Sequence, residues 1–307
     1  LENINYFTTG PRLYLHLGRR LNLELHADYS ATESDLPSSA FESGIDSERY
    51  AAGFVLSRPL SPSSELSASL DFQRVEFDES DAFVFGDYDL YEALIGYSRQ
   101  IGRTALSLAL GSTRVDDGTD RWNNFLARAE LSRRISPSSS LVLRASQQTA
   151  DAADIIRNTF DPTRASTTGL RIASRDPFRE RALGADWRFA RARTSLAVGV
   201  TLTEEDHEAV PALDRSMYDI YVEIGRRLRP TVNFLVSGRY EREKFDESRF
   251  EDEEVEATVR LDWQLGPRVV ASLHYDRLDR DSSDPTYSAT ENRVGIRFAF
   301  RAASGRR

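Results

Sequence analysis

The sequence predicts an all-β chain: a single up-and-down antiparallel transmembrane β-barrel of about sixteen strands (fourteen to eighteen), with residues 1–307 as one domain. Three observations predict it. Apolar and polar residues alternate with period two along nearly the whole chain, which gives each strand a greasy and a wet face. The connections alternate between tight and long. No helical segment is present to cover the apolar faces. A lone sheet with an uncovered apolar face must close on itself or meet lipid, and both are expected here.

The first candidate strand is 3–8, followed by 13–17 and 21–30. In 21–30, Leu21, Leu23, Leu25, Ala27 and Tyr29 share one face, and Asn22, Glu24, His26, Asp28 and Ser30 share the other. Segments 48–58, 65–77, 87–99 and 103–115 come next, then 122–134, 140–150, 179–189 and 193–203. Segments 216–228, 231–243, 253–265, 268–278 and 289–301 complete the set. Tight connections at 19–20, 59–64, 101–102, 136–139, 190–192, 229–230 and 266–267 use the Pro, Gly and Ser that turns favour. Long polar ones fall at 31–47, 78–86, 116–121, 151–178, 204–215, 244–252 and 279–288. Loop lengths segregated in this way describe a membrane meander with periplasmic turns and external loops. The closing strand ends on the short-turn side, so parity predicts that 3–8 makes a separate first pass.

Composition excludes other classes. Charged residues are 29% and mean hydropathy is −0.49, and the longest uncharged runs, such as 104–113 and 194–203, fall well short of the roughly 20 residues a spanning helix needs. A net charge of −9 argues against nucleic acid. The absence of cysteine removes disulfides and thiolate metal sites, and no cofactor is expected. The sequence opens inside a strand-like segment with no signal peptide, as a mature chain or an excised part of a longer one would.

The expected lipid face carries aliphatics such as Leu66, Leu108, Leu110, Val198, Val222, Val259 and Leu273. Tyr29, Tyr50, Tyr218, Tyr240 and Tyr275 border it near the long connections. Tyr97, Phe189, Trp263, Phe298 and Phe300 border it near the turns, as interfacial girdles do. The inward face is expected to carry Glu24, Asp28, Asp71, Glu92, Arg128, Glu130, Arg144, Glu223, Arg239, Glu241, Glu254, Glu256, Arg260, Asp262, Asp276, Arg293 and Arg297. A dry core could not hold so many charges. Two fillings stay open: a water-filled lumen, or a lattice of cross-strand ion pairs that partly blocks it. The mixed sign argues against a strongly ion-selective pore.

Of the histidines, His16, His26 and His274 are expected to face inward and His207 to sit in a loop. Hydrogen-bonded wall histidines are the favoured reading, and no catalytic residue is assigned. The acidic runs 78–81, 116–120, 204–206 and 279–284 offer oxygen ligands, but 116–120 is too short for a helix–loop–helix calcium loop, so solvated loops are favoured. Cation bridges to lipopolysaccharide phosphates are the alternative. The long connection 151–178 carries Ile155, Ile156, Phe160, Leu170 and Ile172. It either enters the lumen as a constriction or extends its flanking strands.

The closing strand, with Val294, Ile296, Phe298 and Phe300 on one face, contains Arg293, Gly295, Phe298 and Phe300 in an order that resembles the β-signal of bacterial outer-membrane barrels. That resemblance implies the barrel-assembly machinery as a partner, although Arg301 to Arg307 follow where the signal usually ends the chain. The meander, the entry Asp176-Pro177-Phe178-Arg179-Glu180-Arg181 into Leu183-Gly184-Ala185-Asp186-Trp187-Arg188-Phe189, and the closing Thr290-Glu291-Asn292-Arg293-Val294-Gly295 resemble the β-barrel porins associated with exosortase (PEP-CTERM) and exopolysaccharide systems. The resemblance implies a Gram-negative outer-membrane location, contact with lipid and lipopolysaccharide, and a channel linked to exopolysaccharide export or surface assembly. The alternatives are an occluded structural or docking barrel and, last, a lipid-modifying barrel enzyme.

Overall fold

A computed structural model describes residues 4–18, 20–34, 47–77, 86–151, 177–208, 210–246, 250–286 and 288–300. The strands are β1 (Ile4–Thr9), β2 (Arg12–Leu17), β3 (Leu21–Ser34), β4 (Ser47–Ser61), β5 (Ser64–Phe77), β6 (Tyr88–Ile101), β7 (Thr104–Asp116) and β8 (Arg121–Ser136). They continue as β9 (Ser139–Ala150), β10 (Phe178–Arg191), β11 (Thr194–His207), β12 (Arg215–Arg229), β13 (Val232–Phe245), β14 (Glu251–Gly266), β15 (Val269–Ser282) and β16 (Ala289–Phe300). They form one 16-stranded antiparallel sheet in sequence order from β3 to β16. The run 78–81, the apolar residues expected to matter in 151–178, and the residues after Phe300 lie outside the described set.

The start of the chain differs from the parity expectation. β1 pairs with the upper part of β3 (Thr9 opposite Tyr29), and β2 pairs with its lower part (Arg12 opposite His26). Both run the same way, so residues 3–8 do not make a separate pass. The two strands lie end to end along one edge of β3, interrupted at Gly10-Pro11. Pro11 has no N–H to give the ladder, although its carbonyl still accepts from the Ala27 amide at 3.2 Å. Gly10 passes so close that a Cβ there would lie 2.1 Å from the Ala27 carbonyl oxygen.

The long-side connections are shorter than their composition suggests, because charged residues continue the strands. β11 runs to His207, which is therefore a strand residue and not a loop residue. Between β7 and β8 only a tight turn remains, in which Asp117 Oδ1 accepts from the amides of Thr119 at 2.8 Å and Asp120 at 2.6 Å. Beyond the apolar rows, Arg179 pairs with Asp206, Arg181 with Glu204, and Arg242 with Glu251 and Glu253. These pairs keep the ladders going where uncharged loop residues would let them end.

The chain divides into two compact units: Leu1–Leu131 with Arg144–Ala182 and Glu204–Asp214, and Ser132–Leu143 with Leu183–Thr203 and Arg215–Arg307. Each is inside-out relative to a soluble sheet protein. In the first unit Leu70, Ile95 and Leu110 are at least half exposed, while Thr113, Asn124 and Arg49 on the opposite face are buried. In the second, Leu183, Leu273 and Ile296 are exposed, while Arg215 and Glu243 are buried. Aromatics cluster on the aliphatic face near the long connections: Tyr29 with Tyr50 and Phe72 with Tyr91 in the first unit, Tyr218 with Tyr240 in the second.

Candidate functional site

The site is the polar face. In the first unit it carries a line of hydrogen-bonded and ion-paired side chains across successive strands. His26 of β3 reaches Asp71 of β5 at 2.9 Å, over Gly53 of β4. Asp71 stands directly opposite Glu92, and Glu92 pairs with Arg128 at 3.4 Å. Arg128 donates to Gln148 at 3.2 Å, and Gln148 donates to Glu180 at 3.0 Å. Arg144 pairs with Glu130 at 3.1 Å, and Glu24 with Arg12 at 3.6 Å. Asp28 lies on the same face one alternation from His26.

Towards the long connections that face becomes dry. Val75, Tyr88, Leu90 and Val115 pack together, with Phe77 and Trp122 against them. Leu126 and Phe178 are also buried. Asp151, which follows β9, crosses to Arg49 on β4. Arg49 donates to both of its carboxylate oxygens at 2.6 and 2.5 Å, and the Tyr88 hydroxyl donates at 2.5 Å. Measured along the sheet, β4 and β9 are about 24 Å apart at the usual interstrand spacing. A contact between them therefore requires this unit to curl with its polar face on the concave side. At the end of β11 the buried His207 packs its ring against Phe178 at 4.8 Å and lies 3.9 Å from Glu205. Sequence reasoning missed this layer. Its signal was available, since Val75, Leu90, Val115 and Leu126 interrupt the alternation by placing apolar residues on the charged face.

In the second unit Arg239 pairs with Asp219 at 2.5 Å and Glu241 at 3.1 Å, Arg280 with Glu254 at 2.6 Å, and Arg260 with Asp262 at 3.3 Å. Glu256 stands opposite Arg239, and Thr258 donates to Asp276 at 2.8 Å. Arg215 and Glu243 form a buried pair at 2.6 Å. Tyr221 lies over Gly199, where a Cβ would come within 2.2 Å of its ring, and its hydroxyl donates to Asp186 at 2.5 Å. Arg293 pairs with Glu291 at 3.7 Å, while Glu223 and Arg297 make no ion pair among the described residues. Gly295 sits beneath the His274 ring, and Phe298 and Phe300 are exposed on the aliphatic face of β16. Among the described residues no group of three or more acidic or histidine side chains could hold a metal ion.

An antiparallel meander with a bare aliphatic face, aromatic borders and a charged opposite face is the design of an outer-membrane β-barrel, and this chain has that fold. Residues 186–302 match the family described as "Putative beta-barrel porin 2". No curated protein sequence matches the chain. Among solved structures it is similar to the copper transporter OprC (13% identity, TM-score 0.61), with 98% of this chain and 57% of that one covered. It is likewise similar to the siderophore receptor PirA from Pseudomonas aeruginosa (10%, TM-score 0.61, 98% and 56%). The ferric enterobactin receptor PfeA gives 12% identity and a TM-score of 0.52, covering 91% and 53%. The chain thus spans little more than half the length of these structures, and at such identities the likeness is one of fold. The fold, with the family match over residues 186–302, places the protein in the Gram-negative outer membrane as a β-barrel.

Proposed function

We propose that the protein is a passive conduit whose lumen is lined by the polar face and narrowed near the long connections. The observation that carries this reading is the change along that face in the first unit. Asp71, Glu92 and Arg128 keep contact with solvent, whereas Arg49 and Asp151 beyond them are almost wholly buried. Water-filled wall and dry neck are the two parts a restricted channel needs. On this reading Glu24, Asp28, Glu130, Arg144, Glu223, Arg239, Glu241, Glu254, Glu256, Arg260, Asp262, Asp276, Arg293 and Arg297 also line the lumen, and the protein carries out no catalytic step. Refolded protein in a planar bilayer should give stable single-channel steps.

A second reading, an occluded structural or docking barrel, draws on the density of ion pairs at Asp219, Arg239, Glu241, Glu254 and Arg280. It requires electrical silence in the same bilayer. The link to exopolysaccharide export rests on the sequence resemblance. The expected partners are outer-membrane lipid, lipopolysaccharide and the barrel-assembly machinery, the last through Arg293, Gly295, Phe298 and Phe300. Replacing Arg293, Phe298 and Phe300 by alanine should slow assembly in cells without changing the conductance of protein refolded in detergent.

A further inference from the structure

The arginines of the aliphatic face fall into two classes according to the end of the strand they occupy. Near the long connections most are neutralised: Arg74 pairs with Glu76 at 2.7 Å, Arg179 with Asp206 at 2.6 Å, and Arg277 with Asp279 at 3.3 Å, while Arg114, opposite Tyr91, is the exception. Near the short turns they have no acid beside them. In the first unit Arg58 of β4 stands opposite Leu66, and Leu66 stands opposite Tyr97. Arg99 of β6 stands opposite Leu106. In the second unit Arg226 of β12 stands opposite Phe234, Arg133 shares the face of the exposed Ile135, and Arg191 that of Leu183. All five are exposed, and none makes an ion pair or side-chain hydrogen bond among the described residues. Further exposed arginines, Arg103, Arg193 and Arg268, occupy the turns themselves.

We propose that these arginines form a binding surface, on each unit, for the phosphate groups of anionic phospholipid in the leaflet at the short-turn end. Their position decides between partners. A residue sharing a face with Leu66, Leu106 and Phe234 points away from the lumen, so it cannot guide a solute through the channel. It stands just past the aromatic border, where an arginine lays its stem along apolar surface and its guanidinium among headgroups. The guanidinium offers two parallel N–H donors to a phosphate. A chain of net charge −9 that leaves its turn-end arginines unpaired has separated its charges along the strand axis, and the cationic end is the one that meets glycerophospholipid.

The inference rests on the barrel reading, and one experiment separates the two. The full chain is refolded into vesicles of phosphatidylcholine alone or mixed with phosphatidylglycerol, and the lipid retained after gentle extraction is weighed by native mass spectrometry. Wild type should retain phosphatidylglycerol in preference. R58Q/R99Q and R133Q/R191Q/R226Q should each lower that preference by about five-fold per arginine removed. R74Q/R277Q, at the paired end, should leave it unchanged. Equal retention of both lipids by wild type, or full preference in the turn-end variants, overturns the proposal while leaving an inserted barrel intact. Retention of an acidic polysaccharide through these arginines, with no lipid preference, overturns it equally. Protein that stays protease-sensitive and uninserted in every vesicle overturns the barrel reading and this surface together.

Discussion

Replacing Asp151 by asparagine removes one charge from the most enclosed ion pair of the first unit and keeps its shape. Arg49 and Asp151 have side chains only 7% and 2% exposed, joined by two short guanidinium hydrogen bonds, with the Tyr88 hydroxyl as a third donor. Removing one partner of such a pair costs about 3–5 kcal/mol, because the other charge stays buried without compensation. The lower end applies here, since Arg49 also donates to Gln73 at 2.7 Å and an asparagine oxygen still accepts from Tyr88. About 3 kcal/mol is roughly a hundredfold in the unfolding equilibrium. Urea titration of protein refolded in lipid, followed by heat-modifiable gel mobility, should show the midpoint of D151N falling with the slope unchanged. Asp151→Ala, which also removes the oxygen that accepts from Tyr88, should fall further. A D151N midpoint within error of wild type would refute the argument that this crossing contact holds the curled face together.

Other perturbations probe the remaining features. Glu243→Gln strips the charge from the buried Arg215 pair of the second unit, and the same titration should register a loss of about 3 kcal/mol. Gly199→Ala drives a methyl into the Tyr221 ring, so a loss of about 1–3 kcal/mol is expected; Tyr221→Phe should cost only about 1 kcal/mol, and equal losses would contradict the packing account. Leu110→Arg places a charge on the bare aliphatic face and should weaken insertion by about 2–4 kcal/mol in a vesicle-folding equilibrium, whereas a soluble sheet would tolerate it. In the loop after β15, the Thr286 amide and hydroxyl donate to Asp284 and hold its carboxyl below the ordinary value of 3.8. Because the folded value is the lower one, the stabilisation is full above the ordinary value and is lost as pH falls through the lowered one. A carboxyl-carbon titration by NMR should show that low midpoint, and Thr286→Val should raise it partway.

The parts of the fold that depend on alternation were legible in the sequence, because a period of two fixes the face of every residue once one is known. Within each unit the observed registers keep such faces together, as with Asp71 opposite Glu92 and Tyr97 opposite Leu108 in the first and Leu261 opposite Leu273 in the second. The pairing of β1 was not legible. Gly10-Pro11 reads as a turn, and only the register with Tyr29 and His26 shows that the chain passes straight through it. Some strand ends were not legible either, since Glu204, Asp206 and Glu251 look like loop residues until their cross-strand partners are known. The His26–Asp71 contact skips a strand, and nothing local to either residue encodes the glycine that lets it do so. The turn-end arginines were visible throughout the sequence. They carry no meaning until the strands assign them to the aliphatic face.

The dry layer weighs on the choice between a conduit and a plug. Burying ion pairs as deeply as Arg49–Asp151 and Arg215–Glu243 carries a desolvation cost that the pairing barely offsets, so stability alone gives little reason to retain them. A barrel needing only to be blocked could fill the same space with aliphatics, as Val75, Leu90, Val115 and Leu126 begin to do. Instead the apolar packing stops after a few residues. Asp71, Glu92, Arg128, Glu130 and Arg144 line the rest of that face with one-seventh to one-half of each side chain open to solvent. A short neck with a long wetted wall costs least where passage must be restricted but not abolished. That distribution favours the proposed conduit, on which reading the length of the dry layer would set the conductance.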